Sequence, residues 1–135
     1  MGVILDSSEI IALERNRGAV DGLVAGREDE PFGISVITVA ELLHGVERAD
    51  TEIRKIRRQA FVEKVIETIP VFPFDSGMAR IYARIWASLW KRGCKVGSHD
   101  LIIAATAISM DYTVFTANRR DFEKIEGLRL EVRPV

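Results

Sequence analysis

The chain has 135 residues, of which 47% are hydrophobic and 29% charged, with a formal net charge of −1. That is the size and balance of one soluble globular domain with a core of its own, and it excludes a disordered chain. The single cysteine, Cys94, cannot form an internal disulfide, and two histidines beside it are too few for the usual structural zinc site.

The chain opens on a short apolar run, residues 2–5, ended by Asp6. This pattern predicts a buried first strand. A helix follows, with Ile10, Ile11 and Leu13 apolar; Gly18 breaks it, and residues 19–25 read as a second helical piece before a charged turn from Gly26 to Pro31. Residues 32–37 read as a second strand. Thr38 then opens a helix with Val39, Leu42, Leu43 and Val46 on one side. Residues 51–67 form a charged amphipathic helix, and Ile69 to Phe74 is extended, punctuated by Pro70 and Pro73.

Asp75 stands where a helix N-cap stands, and a long helix runs to about Arg92, with Met78, Ile81, Tyr82, Ile85, Trp86 and Leu89 at helical spacing. Gly93 and Gly97 bracket a loop. Residues 99–110 make an almost wholly apolar helix, expected to be buried on most sides. Val114 and Phe115 form a strand, Asn118 to Glu123 a turn or short helix, and Leu128 to Val132 a last strand. Strands separated by helices imply an α/β fold with a mostly parallel sheet, here one domain over residues 1–135. No basic segment precedes an apolar stretch at the N-terminus, and no apolar run approaches a membrane span, so neither a signal peptide nor a membrane anchor is expected. With one cysteine, the expected compartment is the cytoplasm.

In open α/β sheets, ligands bind beyond the carboxyl ends of the strands. Three acids fall near such ends. Asp6 follows the first strand, Glu41 lies in the helix after the second, and Asp121 lies just past the strand of Val114 and Phe115. Asp100 opens the apolar helix that leads into that same strand. Each acid has a structural alternative. Asp6 to Glu9 and Thr38 to Glu41 both fit capping boxes, Asp100 suits a helix N-terminus, and Asp121 suits an exposed turn. Together they are harder to explain by capping. Two carboxylates about 5 Å apart repel by roughly 3 kcal/mol at an effective dielectric of about 20. A converging set of hard oxygen donors therefore asks for a divalent cation, Mg²⁺ or Mn²⁺, and such ions catalyse phosphodiester hydrolysis.

Four stretches carry these acids: Ile4 to Ser8, Ser35 to Gly45, Gly97 to Ala107 and Thr116 to Phe122. In order and spacing they resemble the successive motifs of VapC-like PIN domains, across essentially the whole chain. The resemblance implies a parallel sheet flanked by helices, a Mg²⁺- or Mn²⁺-dependent endoribonuclease, a homodimer and a small VapB-type antitoxin. It implies Asp6, Glu41 and Asp100 as metal ligands and Asp121 as the fourth acid, with Asn118 standing where some members carry an additional acid. Ser7 and Thr116 are secondary candidates, able to hydrogen-bond a carboxylate or a phosphate. His99 and His44 read as neighbours of the acids rather than ligands.

Basic residues cluster at Arg54, Lys55, Arg57 and Arg58, at Lys91, Arg92 and Lys95, and at Arg119 and Arg120. If bound metal neutralises four acids, the charge balance turns positive, and a local basic rim can hold an RNA substrate despite the acidic total. Trp86 and Trp90 share the apolar stripe of the long helix, which by default is core but offers part of a dimer or antitoxin surface. Two alternatives remain open: a Mg²⁺-dependent phosphatase, which commonly uses Asp-x-Asp where this chain has Asp6-Ser7-Ser8, and a PIN-like binding module without activity.

Overall fold

The computed structural model describes residues 2–16, 22, 27 and 29–133. The helical piece expected over residues 19–25 lies, apart from Gly22, outside them. Five strands, β1 (Val3–Leu5), β2 (Phe32–Ser35), β3 (Val71–Phe72), β4 (Thr113–Thr116) and β5 (Arg129–Val132), form one sheet in the order β3-β2-β1-β4-β5. Every neighbouring pair is parallel. Six helices flank it: α1 (Ser7–Arg15), α2 (Val36–Glu47), α3 (Glu52–Thr68), α4 (Ser76–Lys91), α5 (Ser98–Met110) and α6 (Arg119–Phe122).

β1 occupies the centre because its three residues are apolar on both faces. Val3, Leu5 and Ile34 pack with Ile10, Leu42, Val46, Val62 and Val65 on one side of the sheet. Ile4 and Val114 pack with Leu89, Leu101, Ile103 and Phe122 on the other. The alternation along β1 is the two-residue strand period feeding two cores. α5 supplies most of the second core, with Leu101 and Ile103 through Ala107 buried, as its unbroken apolar run predicts. The strand order reverses at β1, which has β2 on one side and β4 on the other. The carboxyl ends of β1 and β4 therefore meet at the switch point where such sheets open a crevice.

One boundary departs from the sequence reading. The second strand ends at Ser35, not at residue 37, and α2 begins at Val36. Ser35 is the N-cap, and its hydroxyl accepts from Ile37 N at 3.1 Å. The β-branched run Val36-Ile37-Thr38-Val39 suggests strand by propensity, but a local hydroxyl cap and packing against the sheet override that preference. Thr38 is consequently inside the helix and fully buried. On α4, Tyr82 packs against the core as its spacing implies, but the default core reading does not hold for the two tryptophans. Ile85 and Leu89 are buried, whereas Trp86 is 61% and Trp90 78% exposed. Among the described residues no helix is long and apolar enough to cross a membrane.

Asp75 caps α4, its carboxylate accepting from Met78 N at 2.9 Å. Asn is nearly as good a cap as Asp, so Asp75→Asn should cost a few tenths of a kcal/mol and Asp75→Ala about 1 kcal/mol in urea denaturation. Equal and large losses for both would show that this carboxylate does more than cap.

Candidate active site at the switch point

Asp6 stands in the N-cap position of α1 but its side chain makes no cap hydrogen bond. The carboxylate turns into the crevice instead and is only 3% exposed. Thr116 Oγ1, from the end of β4, donates to Asp6 Oδ2 at 2.6 Å. Ser8 Oγ lies 3.0 Å from the same oxygen, and Ser7 Oγ lies 3.5 Å from Oδ1. The capping alternative thus fails for Asp6, whose carboxylate takes a hydrogen bond from Thr116 instead. Thr116 also ties down the chain beyond β4, since its Oγ1 accepts from Asn118 N at 2.9 Å.

Ser8 and Glu9 carry more than the sequence reading gave them. Ser8 Oγ lies 3.2 Å from Glu9 Oε2 and 3.3 Å from Thr116 Oγ1, and it accepts from Ala117 N at 3.2 Å. Glu9 is 1% exposed, and its Oε1 accepts from Arg133 Nε at 2.7 Å. A buried carboxylate requires a partner, and Glu9 finds it just beyond β5 rather than at a helix N-terminus. The repeated serine after Asp6 was the available signal for Ser8. Glu9 and Arg133 lie 124 positions apart, and no local pattern links them.

Glu41 lies on α2, half-buried beside the crevice. Thr38 cannot form the anticipated capping box with it, because Ser35 already caps the helix. Thr38 Oγ1 is buried and, among the described residues, has no hydrogen-bond partner. The Glu41 carboxyl pKa is raised, first by burial, with the charge of Asp6 adding to it; His99 and a hydrogen bond from Ser7 pull the other way. His99 Nδ1 stands 3.7 Å from Glu41 Oε1. His44, one turn further along α2, lines the same cleft as Glu41 and His99.

Asp100, in the first turn of α5, brings the cluster together. Its carboxyl is pushed up to about 6, first by burial and then by the charges of Asp6, Asp121 and Glu41. Asp100 therefore feels the charges of the other three acids singled out from the sequence. Asp121, in α6, also meets Lys124, whose Nζ lies 3.4 Å from its Oδ1 and donates to Lys95 O at 3.2 Å. Asn118 precedes α6, is exposed, and makes no side-chain cap.

The donor set fits a divalent cation in chemistry and charge: oxygen donors only, with the charges of Asp6, Glu41 and Asp121 all acting on Asp100. As the side chains stand, no three His, Cys, Asp or Glu groups among the described residues are close enough to hold a metal ion. Like-charged carboxylates repel one another, and a divalent ion placed between them reverses the sign of that interaction.

A PIN domain family model matches residues 3–128. Ribonuclease VapC1 of Rickettsia felis is 41% identical over 133 residues, 96% of this chain and 95% of that protein. The tRNA(fMet)-specific endonuclease VapC of Salmonella typhimurium is 38% identical over 98 residues, 73% of this chain and 72% of its own length. The DNA-bound VapBC structure from Salmonella typhimurium superimposes with a TM-score of 0.87 at 31% identity, covering 98% of both chains. The chain belongs to the PIN domain family and, within it, to the VapC ribonucleases.

The raised Asp100 pKa has a defined sign. Between about 4, the ordinary range, and about 6, the folded protein holds a proton there that the unfolded chain releases. Stability from this group is full below that window and is lost as pH rises through it. In EDTA, carbon-detected NMR should find Asp100 titrating near 6, and Asp6→Asn should lower that midpoint towards the ordinary range. An Asp100 midpoint that ignores Asp6→Asn would mean that the two carboxylates do not share a site.

Proposed function

We propose that this protein is a divalent-metal-dependent endoribonuclease acting as the toxin of a toxin–antitoxin pair. The observation that carries the reading is the convergence of Asp6, Glu41 and Asp121 on Asp100, whose carboxyl is pushed up to about 6 first by burial and then by their charges. Asp6, Glu41 and Asp100 are the metal-holding residues, with Asp121 as the fourth acid. Asp121 is preferred to Asn118 because it acts electrostatically on Asp100 and Asn118 is exposed. Mg²⁺ or Mn²⁺ suits this all-oxygen donor set.

A bound divalent cation supplies an activated water and charge neutralisation at the scissile phosphate. The chain's own groups prepare the place for it. Thr116 and Ser8 engage one oxygen of Asp6 and leave the other to the weak Ser7 contact, fixing the orientation of the carboxylate. Arg133 balances Glu9, so that this second buried acid is not left as an unpaired charge next to the cluster. Lys124 holds Asp121 at the rim. Preorganisation of this kind confines the free-energy cost of assembling charge to folding rather than to turnover.

The partners follow from the relatives. A VapB-type antitoxin is the expected inhibitor, because related chains of the same fold occur as VapBC complexes. A homodimer is consistent with the exposed Trp86 and Trp90 of α4. Residues 1–135 act as one domain, and the lone cysteine suits the cytoplasm. Initiator tRNA is the first substrate to test, since the Salmonella relative is a tRNA(fMet)-specific endonuclease.

With Mn²⁺, the protein should cleave RNA, and EDTA should abolish cleavage until metal is restored. Asp6→Asn and Asp100→Asn should remain folded by circular dichroism yet lose at least about a hundredfold in rate, about 2.7 kcal/mol of transition-state energy. Asp75→Asn, which touches only the α4 cap, should cleave like the parent. Near-parental cleavage by either site variant, or cleavage that survives exhaustive chelation, would overturn the assignment.

A further inference from the structure

A cleft of about 630 Å³ opens beside Glu41 and runs between α1 and α2, with α3 behind it. Its volume is within the roughly 300–1,000 Å³ of small-ligand sites, with room for a nucleotide unit. Three arginines from three elements line it: Arg15 in the last turn of α1, Arg48 at the C-cap of α2, and Arg58 on α3. Their surroundings differ. Arg58 is fixed as part of the wall, NH1 donating to Gly45 O at 3.0 Å and Nε standing 3.8 Å from Glu14. Arg15 and Arg48 are exposed and, among the described residues, make no ion pair or side-chain hydrogen bond.

The charge of the cleft therefore does not cancel. Glu14 is matched by Arg58, and Glu41 belongs to the acid cluster and has His99 beside it. Two cations remain, aimed at nothing within the described chain, along a groove that begins at the candidate active site. Arg48 is seven residues beyond Glu41 on the same helix, about 10 Å along its axis. That is about three nucleotides of stacked strand at roughly 3.4 Å each. Ile11, 39% exposed, gives the wall an apolar face for a ribose or base.

We propose that this groove carries the RNA strand to one side of the cut, with Arg15 and Arg48 holding its phosphates. The inference rests on the ribonuclease reading and adds to it the binding track. Several members of the basic clusters visible in the sequence are instead paired within the protein. Arg54 is engaged by Asp50, Lys55 stands near Glu47, Arg92 near Glu126, and Arg119 is engaged by Glu123. The groove cations come together only in the fold.

The test is binding of a single-stranded RNA oligonucleotide in EDTA across a KCl series, for the parent, Arg15→Ala, Arg48→Ala, the double variant, and Arg80→Ala on α4 as control. Each lost phosphate contact should reduce the slope of log Kd against log salt by roughly 0.7, about 1.4 for the double variant, with affinity at low salt falling about tenfold or more. With Mn²⁺, KM should rise while kcat holds, because these contacts lie away from the reacting atoms. Arg80→Ala should match the parent. Arg15 and Arg48 also sit where a helix C-terminus favours a cation. If that were their whole role, the variants would melt earlier with an unchanged salt slope, and the proposal would fall. Unchanged RNA binding with lost affinity for the antitoxin would likewise overturn it, making the groove a protein site. Cleavage by the parent is scored separately. Uncut RNA counts against the ribonuclease reading, and unchanged binding counts against the groove.

Discussion

The Asp6 carboxylate is almost fully withdrawn from water, and among the described residues it has no cation to meet it. Removing an ionised carboxylate from water costs several kcal/mol even after relaxation. The fold meets this cost with hydroxyls at the seam between β1 and β4, Thr116 from one strand end and Ser8 from the helix that leaves the other. Hydrogen bonds to a charged group contribute roughly 1.5–3 kcal/mol each, but hydroxyls bring no opposite charge. The uncompensated charge then shapes its surroundings. Glu41 and Asp100 are both harder to ionise for its presence. Negative charge and all-oxygen donors concentrated at a switch point are the chemistry that suits a divalent cation.

Nearby groups divide into those that feed this charge and those that contain it. Glu9 would add a fifth acid to the cluster, yet Arg133 engages it from the far end of the chain and so ties the end of β5 to the first helix. Lys124 does the same for one oxygen of Asp121. The stability of the last strand and the electrostatics of the site are thus linked through one ion pair. The 3.5 Å Ser7–Asp6 distance contrasts with the 2.6 Å contact of Thr116. The distant residue dominates the immediate neighbour, because β1 and β4 lie side by side.

Much of this was legible in the sequence. The apolar run ending in Asp6, the Asp75 cap and the unbroken apolar stretch of α5 each follow from short-range chemistry, and the structure holds all three. The strand alternation that implies a parallel sheet is equally local. The errors arise where two local signals compete or where partners are remote. At Ser35 and Thr38 there were two hydroxyls, each able to cap, and the tertiary position of the strand end selected the first. At Trp86 and Trp90, helical spacing placed both beside buried residues, but spacing fixes a stripe and not its width. The pairing of Glu9 with Arg133 depends on the order of strands and left no trace in either neighbourhood. The run of basic residues on α3 reads first as a solvated face, and in the structure Arg54 and Arg58 are engaged within the protein.

The central claim is that the four acids form one repulsive cluster that a divalent cation relieves, and a thermal melt tests it directly. In EDTA, Asp100→Asn removes one charge from the cluster and should melt at the parental temperature or above it. Mn²⁺ should raise the parent's Tm in proportion to the logarithm of its concentration once binding saturates, as a ligand of the native state does. The same addition should leave Asp100→Asn nearly unmoved. A parent whose Tm ignores Mn²⁺, together with an Asp100→Asn variant that is clearly less stable than the parent in EDTA, would show that Asp100 stabilises the helix it opens and holds no cation.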